Sequence, residues 1–263
     1  MANFWHLVVN ENMKIYRRLS TWIMLGIIIL APASLSALFY VAMSTPEEGA
    51  NWAIMLVTSQ VLYFLITIFT VVKASESVAG EFTWGTIKLL LIRPWSRGTI
   101  LLSKYVATVL FALVFLAIGF MTSFLMSVLF FGYSSASPGV PGGDSPWVYM
   151  LEFYGLLFIS LFTIVTFGFM MSSAFRSSGL AIGLSMFLLL SGQIIGNLFA
   201  LTNKVWVKYI LFLHLDLTSY LNGGYPIPGQ ETTLGFSIAV LAGYIILFNI
   251  ISWSVFIKRD VAA

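Results

Sequence analysis

The chain has 263 residues, of which 59% are hydrophobic and 9% charged, with a formal net charge of +3 and no cysteine. A soluble domain carries roughly a quarter charged residues, so this composition excludes a soluble globular protein and points to an all-α polytopic membrane protein. The absence of cysteine excludes disulfides and thiolate metal sites, and the length suits several spans but not spans plus a soluble enzyme domain.

Residues 1–20 mix Phe4, Trp5, Val8, Ile15, Tyr16 and Leu19 with Asn10, Glu11, Lys14, Arg17 and Arg18. This pattern predicts an amphipathic helix lying in the membrane interface, anchored by aromatic and basic residues. Glu11 and Lys14, three apart, are neighbours on one helix surface. A signal peptide fits less well, because the lead is long and aromatic and the apolar segment exceeds a typical h-region. The first span is expected over about 21–43, with a kink at Pro32. A short acidic loop with Glu47 and Glu48 leads to a second span over about 52–72.

The segment Lys73–Lys104 holds five of the thirteen basic residues and the two carboxylates Glu76 and Glu81. Its apolar patch, Ile87 to Ile92, is far below the 20 or so residues that cross a bilayer, so the segment lies outside the hydrocarbon. Gly80 and Gly85 loosen the backbone on either side of Glu81. Composition favours a short helix over 86–92, ended by Pro94 through its effect on Arg93. That helix is apolar nearly all round, so something besides water must cover it. Ser96 stands where an N-cap belongs, and the third span, over about 105–131, is expected to begin its helix near Arg97. A Gly-, Ser- and Pro-rich loop over 132–146 follows. A fourth span covers about 147–173, a tight turn holds Arg176, and a fifth covers about 179–201. The segment 202–235 is expected to be extracytoplasmic. Its apolar part, 205–221, is interrupted by His214 and Asp216 and reads as a re-entrant or interfacial helix. A sixth span over about 236–257 closes the bundle.

Placing both termini in the cytoplasm puts eleven of the thirteen Lys and Arg residues inside, leaving Lys204 and Lys208 outside; the opposite orientation reverses that bias. The segment Lys73–Lys104 then forms the main cytoplasmic loop, large enough to dock a partner. No Asp, Glu, Lys or Arg lies near the middle of a span, which argues against a proton- or sodium-coupled carrier. Thr58, Ser59, Gln60, Thr67, Gln193 and Asn197 are uncharged polar residues within spans. Interhelical hydrogen bonding is the simplest role for most of them; a weakly polar substrate pathway is the functional alternative for Gln60, Gln193 and Asn197. Gly179-x3-Gly183 and Gly192-x3-Gly196 are small-residue pairs that allow close helix packing, within one subunit or between two. His214 with Asp216 invites a metal, but the other histidine, His6, falls on the opposite side, so no metal site is expected. No phosphate-binding loop, H-E-x-x-H or G-x-S-x-G motif is present, and this chain is expected to have no catalytic residues.

In the central stretch, Glu81, Gly85-Thr86, Leu89 to Leu91, Pro94, Ser96-Arg97 and Lys104 follow an order and spacing that resembles the permease subunits of type-2 (ABC-2) ABC exporters. That class includes bacterial exporters serving antibiotic resistance, bacteriocin immunity and peptide toxins. The whole layout is similar: an interfacial N-terminal helix, six spans, and a cytoplasmic segment between spans two and three. The resemblance implies a single permease domain over 1–263 in the bacterial cell membrane. It implies an elbow helix over 3–20, a coupling helix around Glu81 to Ile92, and short external helices near 205–221. Two permeases, identical or related, would pair and dock two copies of a separate ATP-binding subunit carrying the ATP and Mg²⁺. Membrane lipid is the other implied partner, and no nucleic acid is. Glu81, Thr86, Lys88, Arg93 and Arg97 are the expected coupling residues, with Glu81 and Arg97 pairing across the bend at Pro94. The fifth span would lie near the dimer seam. The substrate would be amphipathic: a hydrophobic peptide, an antibiotic or a lipid-like molecule. A secondary carrier or channel, or an immunity protein that sequesters a peptide without transport, are the competing readings.

Overall fold

The computed structural model describes residues 4–43, 48–87, 95–135, 145–201, 204–227 and 230–258. The described secondary structure is entirely helical. Helix α1 spans Phe4–Tyr16, and six helices are long and apolar enough to cross a membrane. These are α2 (Leu19–Ala42), α3 (Ala50–Glu76), α5 (Arg97–Phe131), α6 (Pro146–Ala174), α7 (Ser178–Ala200) and α8 (Leu234–Lys258). A one-turn helix, α4 (Ala79–Thr83), lies between α3 and α5.

The ends of these helices follow local chemistry. Ser96 caps α5, its Oγ accepting from the Thr99 amide at 3.1 Å, as an N-cap serine should. Pro146 occupies the first turn of α6, where its missing N–H costs nothing. Pro32 sits inside α2 without ending it. A bilayer offers the backbone no hydrogen-bond partner, so each span stays helical until it leaves the apolar layer.

The bundle is built around α3 and α6. The most apolar stretch of α6 is 67% buried, against 17% for α2 and for α8 at the margins. Trp52, Phe111, Phe115 and Phe153 form the heart of one core between α3, α5 and α6. A second core joins α6, α7 and α8 through Phe167, Leu189 and Phe248. Close approach depends on small residues. A Cβ at Gly168 of α6 would stand 3.2 Å from Ala74 Cβ and Ser75 Oγ of α3, and one at Gly119 of α5 only 2.9 Å from Ile66. Hydroxyl contacts tie α6 to α3 and α5, through Ser59 to Tyr154 at 2.7 Å and Tyr105 to Thr166 at 2.8 Å, and α3 to α7, through Ser75 to Ser185 at 2.9 Å.

One expectation needs correction, and one element was not expected. The segment 205–221 forms no α-helix. It makes three short 3-10 helices, Val205–Tyr209, Leu211–His214 and Leu217–Asn222. Asp216 lies between the last two; its carboxylate accepts from Thr218 Oγ1 and its backbone carbonyl from Ser219 Oγ, a local competition of side chains with backbone that favours turns over helix. Ahead of the helix expected over 86–92 stands the separate one-turn helix α4, which begins at Ala79 and is followed by Gly85, whose φ of 68° suits a residue without Cβ. Of the helix expected over 86–92, only Thr86 and Ile87 are described, and Ile87 is helical.

A charged cleft between the N-terminal helix and the third span

One end of the bundle gathers α1, the start of α2, the end of α3, α4 and the start of α5. The side chains there form a closed ring of charge. Lys104 Nζ, on α5, lies 2.7 Å from Glu11 Oε2 and 2.8 Å from Glu81 Oε1; Lys14 Nζ lies 2.8 Å from Glu11 Oε1 and 3.1 Å from Glu81 Oε1. Each carboxylate therefore meets both ammonium groups, and three separate helices are held by four residues. Lys104 is 3% exposed and is the buried member; Lys14 is 45% exposed. Thr86 Oγ1 donates to Glu81 Oε2, so the turn after α4 is drawn onto the same carboxylate. Beside the ring, Arg18 pairs with Glu76.

The electrostatics follow from this geometry. Burial alone would raise the Glu81 carboxyl, but the charge and hydrogen bond of Lys104, helped by Thr86 and Lys14, hold it down to about 2. Glu11 is likewise held below the usual carboxylate range, burial being outweighed by Lys104 and Lys14. Lys14 moves upward, because its two carboxylates outweigh its own burial. A cavity of about 510 Å³ opens beside the ring. Lys14, Arg18, Lys73 and Lys104 contribute four positive charges to its wall, and Glu11, Glu76 and Glu81 three negative ones.

Helix α4 is wired to the bundle on its other side too. The Val78 and Ala79 amides both donate to Ser172 Oγ of α6 at 2.9 Å. The Ser178 amide, at the start of α7, donates to Thr83 Oγ1 at 3.0 Å. Below it Val78, Ile87, Ile100 and Leu101 pack with Phe169 of α6 and Phe256 of α8.

The expected coupling residues are placed unevenly. Glu81 and Thr86 meet in the ring, whereas Lys88 and Arg93 lie outside the described residues. Arg97 does not pair with Glu81. Its Nη1 donates to the Ile257 carbonyl at the end of α8, while Glu81 is taken by the lysines that α1 and α5 bring from the other side. Glu11, Lys14 and Lys104 are the members that sequence reasoning left out of the site. Helix α1 buries Leu7 and Val8 and brings the half-buried Glu11 against the bundle, leaving Trp5 62% exposed. The one available signal was local: Glu11 and Lys14 at helical spacing, and a lysine inside an otherwise apolar helix start.

The other singled-out residues scatter. Gln60 and Asn197 are exposed on α3 and α7, and the side chain of Gln193 is not among those described. Gly192 and Gly196 lie against Phe212 and Leu213 of the 3-10 segment, where added Cβ atoms would stand 2.6 and 3.1 Å away. Gly183 has open space and Gly179 nothing closer than Ser177 Oγ at 3.9 Å. Among hydroxyls within the spans, Ser59 bonds across helices, Thr58 bonds back to its own backbone at Ile54, and Thr67 Oγ1 is unpartnered among the described residues. His214 is fully buried and serves the fold. Its Nε2 donates to the Lys208 carbonyl at 2.7 Å, and its Nδ1 accepts from Ser237 Oγ at 2.8 Å. Burial lowers its pKa despite the Lys208 contact. Among the described residues no group of three His, Cys, Asp or Glu side chains is placed to hold a metal.

A family model described as "Protein of unknown function (DUF2705)" matches residues 22–262. The chain is 32% identical to "Uncharacterized protein YhcI" of Bacillus subtilis (strain 168), over 98% of this chain and 99% of that one. It is 31% identical to "Uncharacterized membrane protein YdbK" of the same organism, over 76% of this chain and 79% of that one.

Proposed function

Since the chain belongs to the DUF2705 family, whose description assigns no activity, we propose from the geometry that it is the permease subunit of an ATP-driven ABC-2-type exporter. The observation that carries this reading is the Glu81 ring. A short helix between spans two and three is bonded at once to α1 and α5 through Lys14 and Lys104 and to α6 and α7 through Ser172 and Ser178. A rigid-body displacement of α4 by a partner reaches four other helices without a flexible joint, as a transmission element requires. The central stretch, with its resemblance to the ABC-2 pattern, supports the same reading.

In this reading both termini and α4 face the cytoplasm, in the bacterial cell membrane. Two permeases, identical or related, bind two ATP-binding subunits that supply ATP and Mg²⁺, and this chain performs no chemistry itself. Glu81 and Thr86 hold the coupling helix in register, and Lys88, Arg93 and Arg97 meet the ATPase or the headgroups. The bias that ATP closure exerts equals the difference in contacts between the two states. A substrate pathway between two permeases must be lined by faces exposed in one copy, which suits Gln60 and Asn197. The aromatic, weakly polar spans suit an amphipathic cargo: a hydrophobic peptide, an antibiotic or a lipid-like molecule.

The test is co-expression with a candidate ATP-binding subunit, joint purification, and ATP hydrolysis compared with Glu81→Gln. Stable co-purification and hydrolysis altered by the substitution are expected. Failure of every candidate ATPase to bind would overturn the permease reading.

A further inference from the structure

The charge ledger of the cavity does not close on itself. Glu11 and Glu81 are taken by Lys14 and Lys104, and Glu76 by Arg18. Lys73 is left over. It is 5% exposed, in the last turn of α3, and its Nζ makes one hydrogen bond, to Ser20 Oγ at 2.9 Å. An ammonium has three donors, and a buried one held only by the more distant charge of Glu76, which Arg18 already pairs, is expensive. Among the described residues no carboxylate lies within ion-pair distance of it.

The wall around Lys73 favours an anion. Arg18 stands beside it on the same cavity, and α2 begins at Leu19 without a side-chain cap. The positive end of a 24-residue helix therefore faces the region of Ser20. The cavity also has an apolar side, with Ile15, Ala107 and the 73%-exposed Trp84 on its wall. Its 510 Å³ lies within the range of small-molecule sites. Exposed Leu19, Trp22 and Ile23 continue an apolar surface along α2 from this point.

We propose that Lys73, Arg18 and Ser20 form a site for a phosphate group, supplied by an anionic phospholipid whose acyl chains run along the exposed face of α2. A phosphodiester brings acceptor oxygens to the unused Lys73 donors. Basic pockets between helices on the cytoplasmic side are the usual sites for such headgroups, and an interfacial tryptophan at the mouth suits the same depth. The site does not depend on the permease reading, since it requires only that this end of the bundle meets a leaflet.

The full chain, purified and stripped of lipid in a neutral detergent, is titrated with phosphatidylglycerol, phosphatidylcholine or inorganic phosphate while thermal unfolding is followed. A ligand bound to the fold raises the transition temperature in proportion to its affinity. Phosphatidylglycerol is expected to act at roughly tenfold lower mole fraction than phosphatidylcholine, a charged hydrogen bond's worth of discrimination. Lys73→Met removes that preference, Lys73→Arg keeps it, and Lys204→Met at the other end of the bundle leaves it unchanged. Equal action of the two lipids on the wild-type chain overturns the proposal whatever the variants do. So does an unchanged preference in Lys73→Met. Protection by millimolar inorganic phosphate equal to that by phosphatidylglycerol overturns the lipid source and assigns the site to a free phosphate.

Discussion

Lys104 carries the most consequence per side chain. It is 3% exposed and neutralises Glu11 and Glu81 together. Lys104→Met would leave two carboxylates sharing Lys14 alone, and removing one partner of a buried charge group costs about 3 kcal/mol. Lys14→Met should cost about 1 kcal/mol or less, because that lysine is 45% exposed and water screens it. Thermal unfolding in detergent, followed by tryptophan fluorescence, would rank the two; equal losses would deny the ring its buried member. The same ring sets a pH window. Glu81 is held at about 2 against an ordinary 4.5, so its contribution is complete above pH 4.5 and is lost as pH falls toward 2. Lys14 lies above its ordinary 10.5, so its contribution is complete below 10.5 and fades only as pH rises beyond it. Stability from the ring is expected to be flat between these limits and to decline on the acid side, and Glu81→Gln should flatten that decline.

At the scale of elements, α7 carries two glycine pairs with opposite surroundings. Gly192 presses on the Phe212 ring, where an added Cβ would stand 2.6 Å away, whereas Gly183 faces open space. Gly192→Val is therefore expected to destabilise by about 1–3 kcal/mol through overpacking, and Phe212→Leu in the same chain should restore part of the loss. Gly183→Val should leave the single subunit close to wild type. If the exposed face of α7 meets a second permease, Gly183→Val instead lowers the dimer fraction in crosslinking or mass photometry. The identical x3 spacing made the two pairs indistinguishable in sequence, because spacing reports which residues share a face and not what that face touches. The 3-10 segment was misread for a related reason. Its apolar run resembles a helix, but Asp216 takes the hydroxyls of the next turn and His214 reaches back to the Lys208 carbonyl.

Across the whole molecule, the bilayer makes spans legible. It demands some 20 apolar residues with every backbone group paired internally, so the six span helices and the capped start of α5 at Ser96 follow from local composition. The ring was not legible, because Glu11, Glu81 and Lys104 are far apart in sequence and only tertiary packing brings α1 inward. Arg97 shows the same limit: its neighbour proved to be the carbonyl of Ile257, 160 positions away. Orientation rests on the distribution of lysine and arginine, and the absence of cysteine makes it directly measurable. Arg176→Cys in the turn between α6 and α7 and Lys204→Cys beyond α7 place single thiols at exposed positions on opposite ends of one span helix. With the termini inside, Lys204→Cys should react with a membrane-impermeant maleimide in intact cells, and Arg176→Cys only after permeabilisation. The positive-inside bias of eleven to two makes the reverse pattern costly, and observing it would place α4 and its ring outside the cell, beyond reach of any ATP-binding subunit.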